Sequence, residues 1–202
     1  MGKQRSHGIL LALIMLFLLC ISLLSMKVNA AGPTQVYATV SDLRILNSQR
    51  QEVDHIYHSA DFFLSMDWEA SANGTGFHAG DYFEIELPNQ MAFPTNSSAV
   101  DFNLYGADGV TVIATAHVNP YAYSGGNIRV TFTNWVENQY NVSGTLGLAA
   151  TFKRDLIVTN GTNQLDVTVN GSVGSITTGN GTNIVIEGPA PLSNEYLMKW
   201  GI

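Results

Sequence analysis

The chain has 202 residues, with nine Lys and Arg against sixteen Asp and Glu, a formal net charge of −7. That balance excludes the basic footprint expected of a nucleic-acid binder and the polybasic stripe expected at an anionic membrane surface. One cysteine, Cys20, excludes a disulfide framework, so stability must come from a packed core, for which a chain of this length suffices as one domain of ordinary size.

The N-terminus reads as a secretory signal over residues 1–30. Lys3 and Arg5 precede an almost wholly apolar run from Ile9 to Leu24, and Val28-Asn29-Ala30 supplies small residues for cleavage after Ala30. The apolar run is short for a spanning helix of about 20 residues. Cys20 lies inside it, behind Leu18-Leu19 where a lipoprotein site needs small residues, and is read as part of the removed segment. Loss of Lys3, Arg5 and Lys27 leaves six basic against sixteen acidic residues, a net charge of −10. Such acidity favours solubility outside the cell and does not specify a partner.

From Thr34 onward the apolar period is two. Phe62, Leu64, Met66 and Trp68 alternate with Phe63, Ser65 and Asp67; Phe83, Ile85 and Leu87 alternate with Tyr82, Glu84 and Glu86; Ile128, Val130 and Phe132 alternate with Arg129, Thr131 and Thr133; Leu165, Val167 and Val169 alternate with Asp166 and Thr168. Each run buries one face and wets the other, as in an antiparallel sheet. Asp108-Gly109 separates Val100–Tyr105 from Val110–Val118, and Asn160-Gly161, Asn170-Gly171 and Asn180-Gly181 recur every ten residues, which predicts tight hairpins and a C-terminal meander. With many short strands and no long amphipathic helix, the expected fold is an all-β antiparallel sandwich over residues 33–188. Glu187-Gly188-Pro189-Ala190-Pro191 reads as a stiff linker. Within residues 189–202, Tyr196–Ile202 has the character either of the first strand of a missing second module or of a strand folded back on the sandwich edge.

The order of motifs resembles the N-terminal A-region modules of Gram-positive wall-anchored adhesins of the collagen-binding and serine-aspartate-repeat type, which have an SDR-like immunoglobulin fold. The residues carrying it are Ser41–Ile45, Phe62–Trp68, Gly80-Asp81-Tyr82-Phe83-Glu84-Ile85-Glu86-Leu87-Pro88, Phe102–Leu104 leading into the Asp108-Gly109 hairpin and Val112–Ala116, Arg129–Glu137 (similar to the family's TYTFTDYV segment), Asn141–Leu146, Leu165–Val169, and Lys199-Trp200-Gly201. The resemblance implies that the sandwich over residues 33–188 is an immunoglobulin-like antiparallel β-sandwich, and that the chain is a secreted or cell-surface bacterial protein that binds a host extracellular-matrix protein, collagen or a fibrinogen-like peptide, in a groove between two modules. A strand from the second module then locks the ligand by β-augmentation. It places Arg129, Thr131, Phe132, Thr133, Asn134, Trp135 and Glu137 along the latching trench, with Asn134 and Trp135 standing where the family has Asp and Tyr. The chain lacks Ser-Asp repeats and an LPxTG sorting signal, so by itself it does not contain the two-module lock. Related modules also carry a Lys–Asn isopeptide cross-link. No lysine occurs between Lys27 and Lys153, which leaves only Lys153 or Lys199 as donors.

No cofactor, metal or catalytic residue is expected. Asp54, His55, His58 and Asp61 are a conceivable zinc set, but two His three apart do not share a strand face, and the stretch reads as a solvated loop. Glu84 and Glu86 lie about 7 Å apart on the polar face of one strand, not across a cleft as a glycosidase pair would. Neither a G-x-S-x-G elbow nor a phosphate-cradling Gly-rich loop with its Lys is present. Asn73, Asn96, Asn141, Asn160, Asn170 and Asn180 head N-x-S/T sequons, which matter only in a host that glycosylates them. Trp135, Tyr121, Tyr123 and Tyr140 lie in or beside loops; at least half are expected in the core, and otherwise they suit sugar stacking or a protein hot spot. Two other readings stand beside matrix binding: a carbohydrate-binding sandwich using Trp135 and nearby tyrosines, and a structural spacer.

Overall fold

The computed structural model describes residues 32–74, 76–137, 139–170, 172–178 and 184–188. The proposed signal segment, residues 189–202 expected to be a linker and the start of a second module, Lys199, and the turn expected at Asn180-Gly181 lie outside these. The described chain is an antiparallel β-sandwich. One sheet has four strands in the order β1 (Tyr37–Leu46), β3 (Asp61–Ser71), β9 (Asn141–Phe152) and β5 (Met91–Ala92). The other has six, in the order β11 (Ser172–Thr178), β10 (Asn163–Val169), β4 (Tyr82–Leu87), β8 (Gly126–Phe132), β7 (Val112–Pro120) and β6 (Asp101–Tyr105). A third, two-stranded sheet pairs β2 (His55–Tyr57) in parallel with β12 (Val185–Glu187).

The period-two pattern sets the core. On β3 the inward set is Phe62, Leu64, Met66, Trp68 and Ala70, all buried; on β4 it is Phe83, Ile85 and Leu87; on β8, Ile128, Val130 and Phe132; on β9, Val142, Leu146, Leu148, Ala150 and Phe152. Between the sheets, the Trp68 ring lies 5.4 Å from Phe83 and 6.0 Å from Phe132, and Phe77 lies 4.9 Å from Phe132. These tilted pairs use the favourable edge-to-face geometry of aromatic quadrupoles. Gly144 is the direct cross-strand partner of Trp68. A Cβ at Gly144 would stand 2.8 Å from Trp68 Cζ2 and 3.0 Å from Cε2, so only glycine lets the indole spread across its neighbouring strand.

Turn chemistry follows the dipeptides. Asn170 adopts φ 47°, as its short polar side chain permits, and closes the β10–β11 hairpin. Its Nδ2 donates to Val36 O at 2.9 Å, which ties that hairpin to the segment preceding β1. In the Gly106–Thr111 loop Asp108 accepts hydrogen bonds from Thr111 Oγ1, Thr111 N and Val110 N, which hold its carboxyl at about 2, while Gly109 takes φ 67°. The meander expected at the C-terminus holds for β10 and β11, but β12 leaves it and joins β2, with Val185, Ile186 and Glu187 opposite His55, Ile56 and Tyr57. His55–Tyr57 is therefore a strand and not the loop expected there, because Ile56 and Ile186 are both buried.

Asp81 is the most deeply buried carboxylate described, 2% exposed. Burial alone would raise its pKa. Hydrogen bonds from Thr34 N, His78 N and Thr34 Oγ1 at 2.8–2.9 Å, with the His78 ring nearby, outweigh burial and lower it below 3.8. A carboxyl lowered in the folded state contributes stability above about pH 4, and that contribution is lost as pH falls through the folded value.

Two outcomes are expected. Gly144→Ala destabilises the protein by about 1–3 kcal/mol through overpacking against Trp68, read from the urea midpoint at unchanged m-value. Asp81→Ala costs about 3 kcal/mol near neutral pH by orphaning the N–H groups of Thr34 and His78, and the variant loses less further stability than the parent on acidification from about pH 6 to below pH 3.

Candidate functional site

The seven residues expected to line a trench occupy the end of β8 and the turn after it. Their positions divide by strand alternation. Arg129 and Thr131 lie on the outer face of the six-stranded sheet, whereas Phe132 is buried inside the sandwich against Trp68, Phe77 and Phe83. Thr133 caps a single 3-10 turn, Asn134–Val136: its Oγ1 donates to Val112 O at 2.8 Å and accepts from Trp135 N. Asn134, Trp135 (45% exposed) and Glu137 are at the surface. Both edges of β8 are occupied. Tyr82–Leu87 of β4 pairs along one side and Ala114–Pro120 of β7 along the other. No added strand can hydrogen-bond to β8 while those ladders stand.

Arg129 is the centre of a cross-strand row on that outer face. Glu84, Arg129, His117 and Asp101 are successive partners across β4, β8, β7 and β6. Arg129 Nη1 donates to Glu84 Oε1 at 3.0 Å and its guanidinium stacks 3.3 Å from the Tyr82 ring centroid, while His117 Nδ1 lies 2.7 Å from Asp101 Oδ1. Glu84 is thus an ion-pair partner. Glu86 accepts from Tyr121 OH at 3.0 Å, which raises the Tyr121 pKa.

An open backbone edge exists elsewhere. β9 pairs with β3 from Asn141 to Thr151, but on its other side it meets β5 only at Thr151 and Phe152. Among the described residues, no strand covers that side from Asn141 to Ala150. β6, the last strand of the six-stranded sheet, has an equally free outer edge. Between these two edges runs a groove of about 550 Å³, lined by Phe102–Ala107 of the β6 region, by Ser143, Gly144, Thr145 and Gly147 of β9, and by Arg50. A second hollow of about 370 Å³ lies further along β9 at Ala149–Thr151, with Phe63 and Pro94 in its wall. Unpaired N–H and C=O groups in a row are a template for another extended chain, and Gly147, on the outward face of β9, keeps the approach beside them low. Sequence reasoning missed this edge. Its only local signal is Gly147, an outward glycine in an otherwise regular strand, which marks a place where another group can approach closely, whereas Gly144 is already taken up by Trp68.

The remaining candidates do not converge. His55 Nδ1 lies 3.0 Å from Glu187 Oε1, while His58 Nδ1 is buried without a partner, and among the described residues no group of three or more His, Cys, Asp or Glu is arranged to hold a metal. Trp135, Tyr121, Tyr123 and Tyr140 are all exposed, contrary to the expectation that at least half enter the core; phenylalanines fill it instead. Tyr121 and Tyr123 precede β8 and Trp135 follows it, so about 20 Å of strand separates them and they do not form one stacking platform. Tyr123 OH donates to Asp155 Oδ2 and its ring carries the Lys153 ammonium at 3.8 Å. That contact places the Lys153 amine on an aromatic face at the surface.

Fold and groove together define, among the described residues, an antiparallel immunoglobulin-like sandwich in which β9 and β6 present open edges to a shared groove. Residues 56–162, more than half of the sequence, match the bacterial Ig domain family, and the chain belongs to it. Among solved structures it is similar to one containing manganese lipoxygenase of Gaeumannomyces graminis with part of zonadhesin of Komagataella pastoris (TM-score 0.53, 13% identity, 69% of this chain and 45% of that one). It is also similar to the serine-rich repeat adhesion glycoprotein Srr1 of Streptococcus agalactiae (0.48, 14%, 77% and 47%) and to the collagen adhesin CNA of S. aureus (0.43, 14%, 81% and 47%). The chain spans about half the length of these structures. No curated protein matches it.

Thr133→Ala is expected to cost about 1 kcal/mol by uncapping the turn that carries Trp135, read by thermal unfolding, and to blue-shift no buried tryptophan signal, since Trp68 keeps its packing.

Proposed function

We propose that this chain is a non-catalytic adhesion module, exported through residues 1–30 to the bacterial surface, that holds an extended segment of a host matrix protein by strand addition. The observation that carries the reading is the edge of β9 between Asn141 and Ala150, which no described strand pairs and which faces the groove beside β6. Main-chain hydrogen bonds to β9 supply affinity without regard to sequence, and side chains directed toward the β6 wall supply selectivity. Collagen and fibrinogen-like peptides are the ligand class the motif order implies. A strand from a second immunoglobulin-like module is the natural element to close the groove over them.

The strand-accepting edge belongs to β9 in this proposal, and Arg129–Glu137 has a supporting role. Arg129 and Thr131 line a shallow hollow of about 340 Å³ with Asp101, Asn103 and His117 that abuts the outer side of β6, while Thr133–Glu137 shapes the connection leading into β9.

The test is surface plasmon resonance of the exported protein over immobilised collagen and fibrinogen, with hydrogen exchange to locate the footprint. Strand addition predicts binding to at least one of them and slowed exchange of amides within 141–150. Filling the groove by Gly147→Phe is expected to weaken binding at least tenfold with little change in unfolding temperature, because position 147 faces outward and a Cβ there would meet only the flexible end of Arg50. Absence of binding to both, with no protection of 141–150, would leave the spacer reading. Competition by soluble glycans with loss on Trp135→Ala would leave the carbohydrate reading.

A further inference from the structure

Arg50 is held in an unusual way beside the groove. It has φ 63°, in the left-handed region that residues other than Gly, Asn and Asp seldom occupy. The loop that imposes this is closed by four hydrogen bonds. Asn47 Oδ1 accepts from Gln49 N at 2.9 Å and from Gln51 N at 3.0 Å; Asn47 N donates to Gln51 O at 2.8 Å and Arg50 N to Asn47 O at 2.9 Å. The Asn side chain acts here as an Asx staple. A strained residue persists only where its surroundings over-determine it.

The strain aims the side chain. The guanidinium lies 3.5 Å from the Phe63 ring centroid, across the outer face of the four-stranded sheet. Its Nη1 is 3.5 Å from where a Cβ of Gly147 would stand, so the missing side chain at position 147 leaves the space beside it clear. Arg50 is exposed and lines the groove at the open edge of β9. It also lacks a carboxylate partner among the described residues, whereas Arg44 pairs with Asp42 and Asp67 and Arg129 with Glu84. In a chain of net charge −7, a guanidinium with no described carboxylate partner, stacked on Phe63 with Nη1 beside Gly147 of the groove wall, is chemically conspicuous.

Resting on the reading of the groove as a strand acceptor, we infer that Arg50 is a specificity anchor: the strand seated on β9 carries an Asp or Glu whose carboxylate meets the Arg50 guanidinium. The partner is an extended peptide of another polypeptide with an acidic side chain on the same face as Gly147 and Ala149. Stacking on Phe63 pre-orders the fork for bidentate pairing and leaves it weakly hydrated, which Lys in the same place would not reproduce. The bland role, covering Phe63 by cation–π contact and stem packing, requires no acid in the partner, and the two roles separate by experiment.

A random octapeptide library displayed on phage is panned against the full exported chain and against Arg50→Glu and Arg50→Gln. The parent is expected to enrich peptides with Asp or Glu at one fixed position. Arg50→Glu should enrich Lys or Arg at that position. Arg50→Gln should lose the preference and bind a peptide selected on the parent about five- to tenfold more weakly, with Arg50→Lys retaining part of the difference. Each selected peptide must slow exchange of amides within 141–150, and thermal unfolding checks that every variant folds. Peptides that protect 141–150 with no acid preference, unchanged by Arg50→Gln, overturn the role of Arg50 and leave the groove reading intact. Peptides that protect another surface, or no enrichment from any protein, overturn both.

Discussion

The structure depends on one close approach, the Trp68 indole laid over Gly144. It is a direct cross-strand contact within one sheet, and the same ring meets Phe83 and Phe132 of the other sheet. A fully buried tryptophan contributes more apolar surface than any other side chain, and Trp68 is the largest of the side chains buried between the layers. Its cost is an indole N–H that is buried with no acceptor. Because Trp68 fixes which residues of β9 face inward, it also fixes that Thr145, Gly147 and Ala149 face outward, next to Phe63 and Arg50.

The open flank of β9 follows from how the chain leaves the four-stranded sheet. β5 is only two residues long and pairs with β9 at Thr151 and Phe152. After it the chain crosses through the helical turn Ser97–Val100 to build β6, β7 and β8 onto the opposite sheet. A full-length strand in place of β5 would have capped β9. Instead the sandwich has one layer extended by three strands and the other left short, and the groove is the step between them. Exposed edges invite unwanted pairing. Here the edge is recessed between β6 and the Asn47–Gln51 loop, and the acidic surface disfavours self-association.

The same logic redistributes the residues singled out by motif. Arg129–Glu137 looks like an exposed strand because polar and apolar residues alternate in it. Alternation reports which way side chains point but not whether the backbone edges are paired, and both edges of β8 are. Phe132 points inward and Arg129 outward, so a contiguous motif is split between core and surface. The loop aromatics were harder still. Tyr121, Tyr123, Trp135 and Tyr140 resemble core residues by type alone, yet the ring positions between the sheets were already filled by Phe62, Phe77, Phe83, Phe132 and Phe152.

The sequence by itself determined the strands with strong alternation, the all-β class, the inward set from Phe62 to Val169, and the hairpins at Asp108-Gly109 and Asn170. In each case the information is local: side chains alternate with period two, and Asn and Gly tolerate positive φ. Only the tertiary structure decided that β12 pairs with β2 across more than a hundred residues, that Arg129 pairs with Glu84, that Arg50 lies on Phe63, and that no described strand covers the edge of β9 from Asn141 to Ala150. Those properties depend on which strands become neighbours, a long-range choice made by packing Trp68 and its aromatic partners, and no window of adjacent residues encodes it.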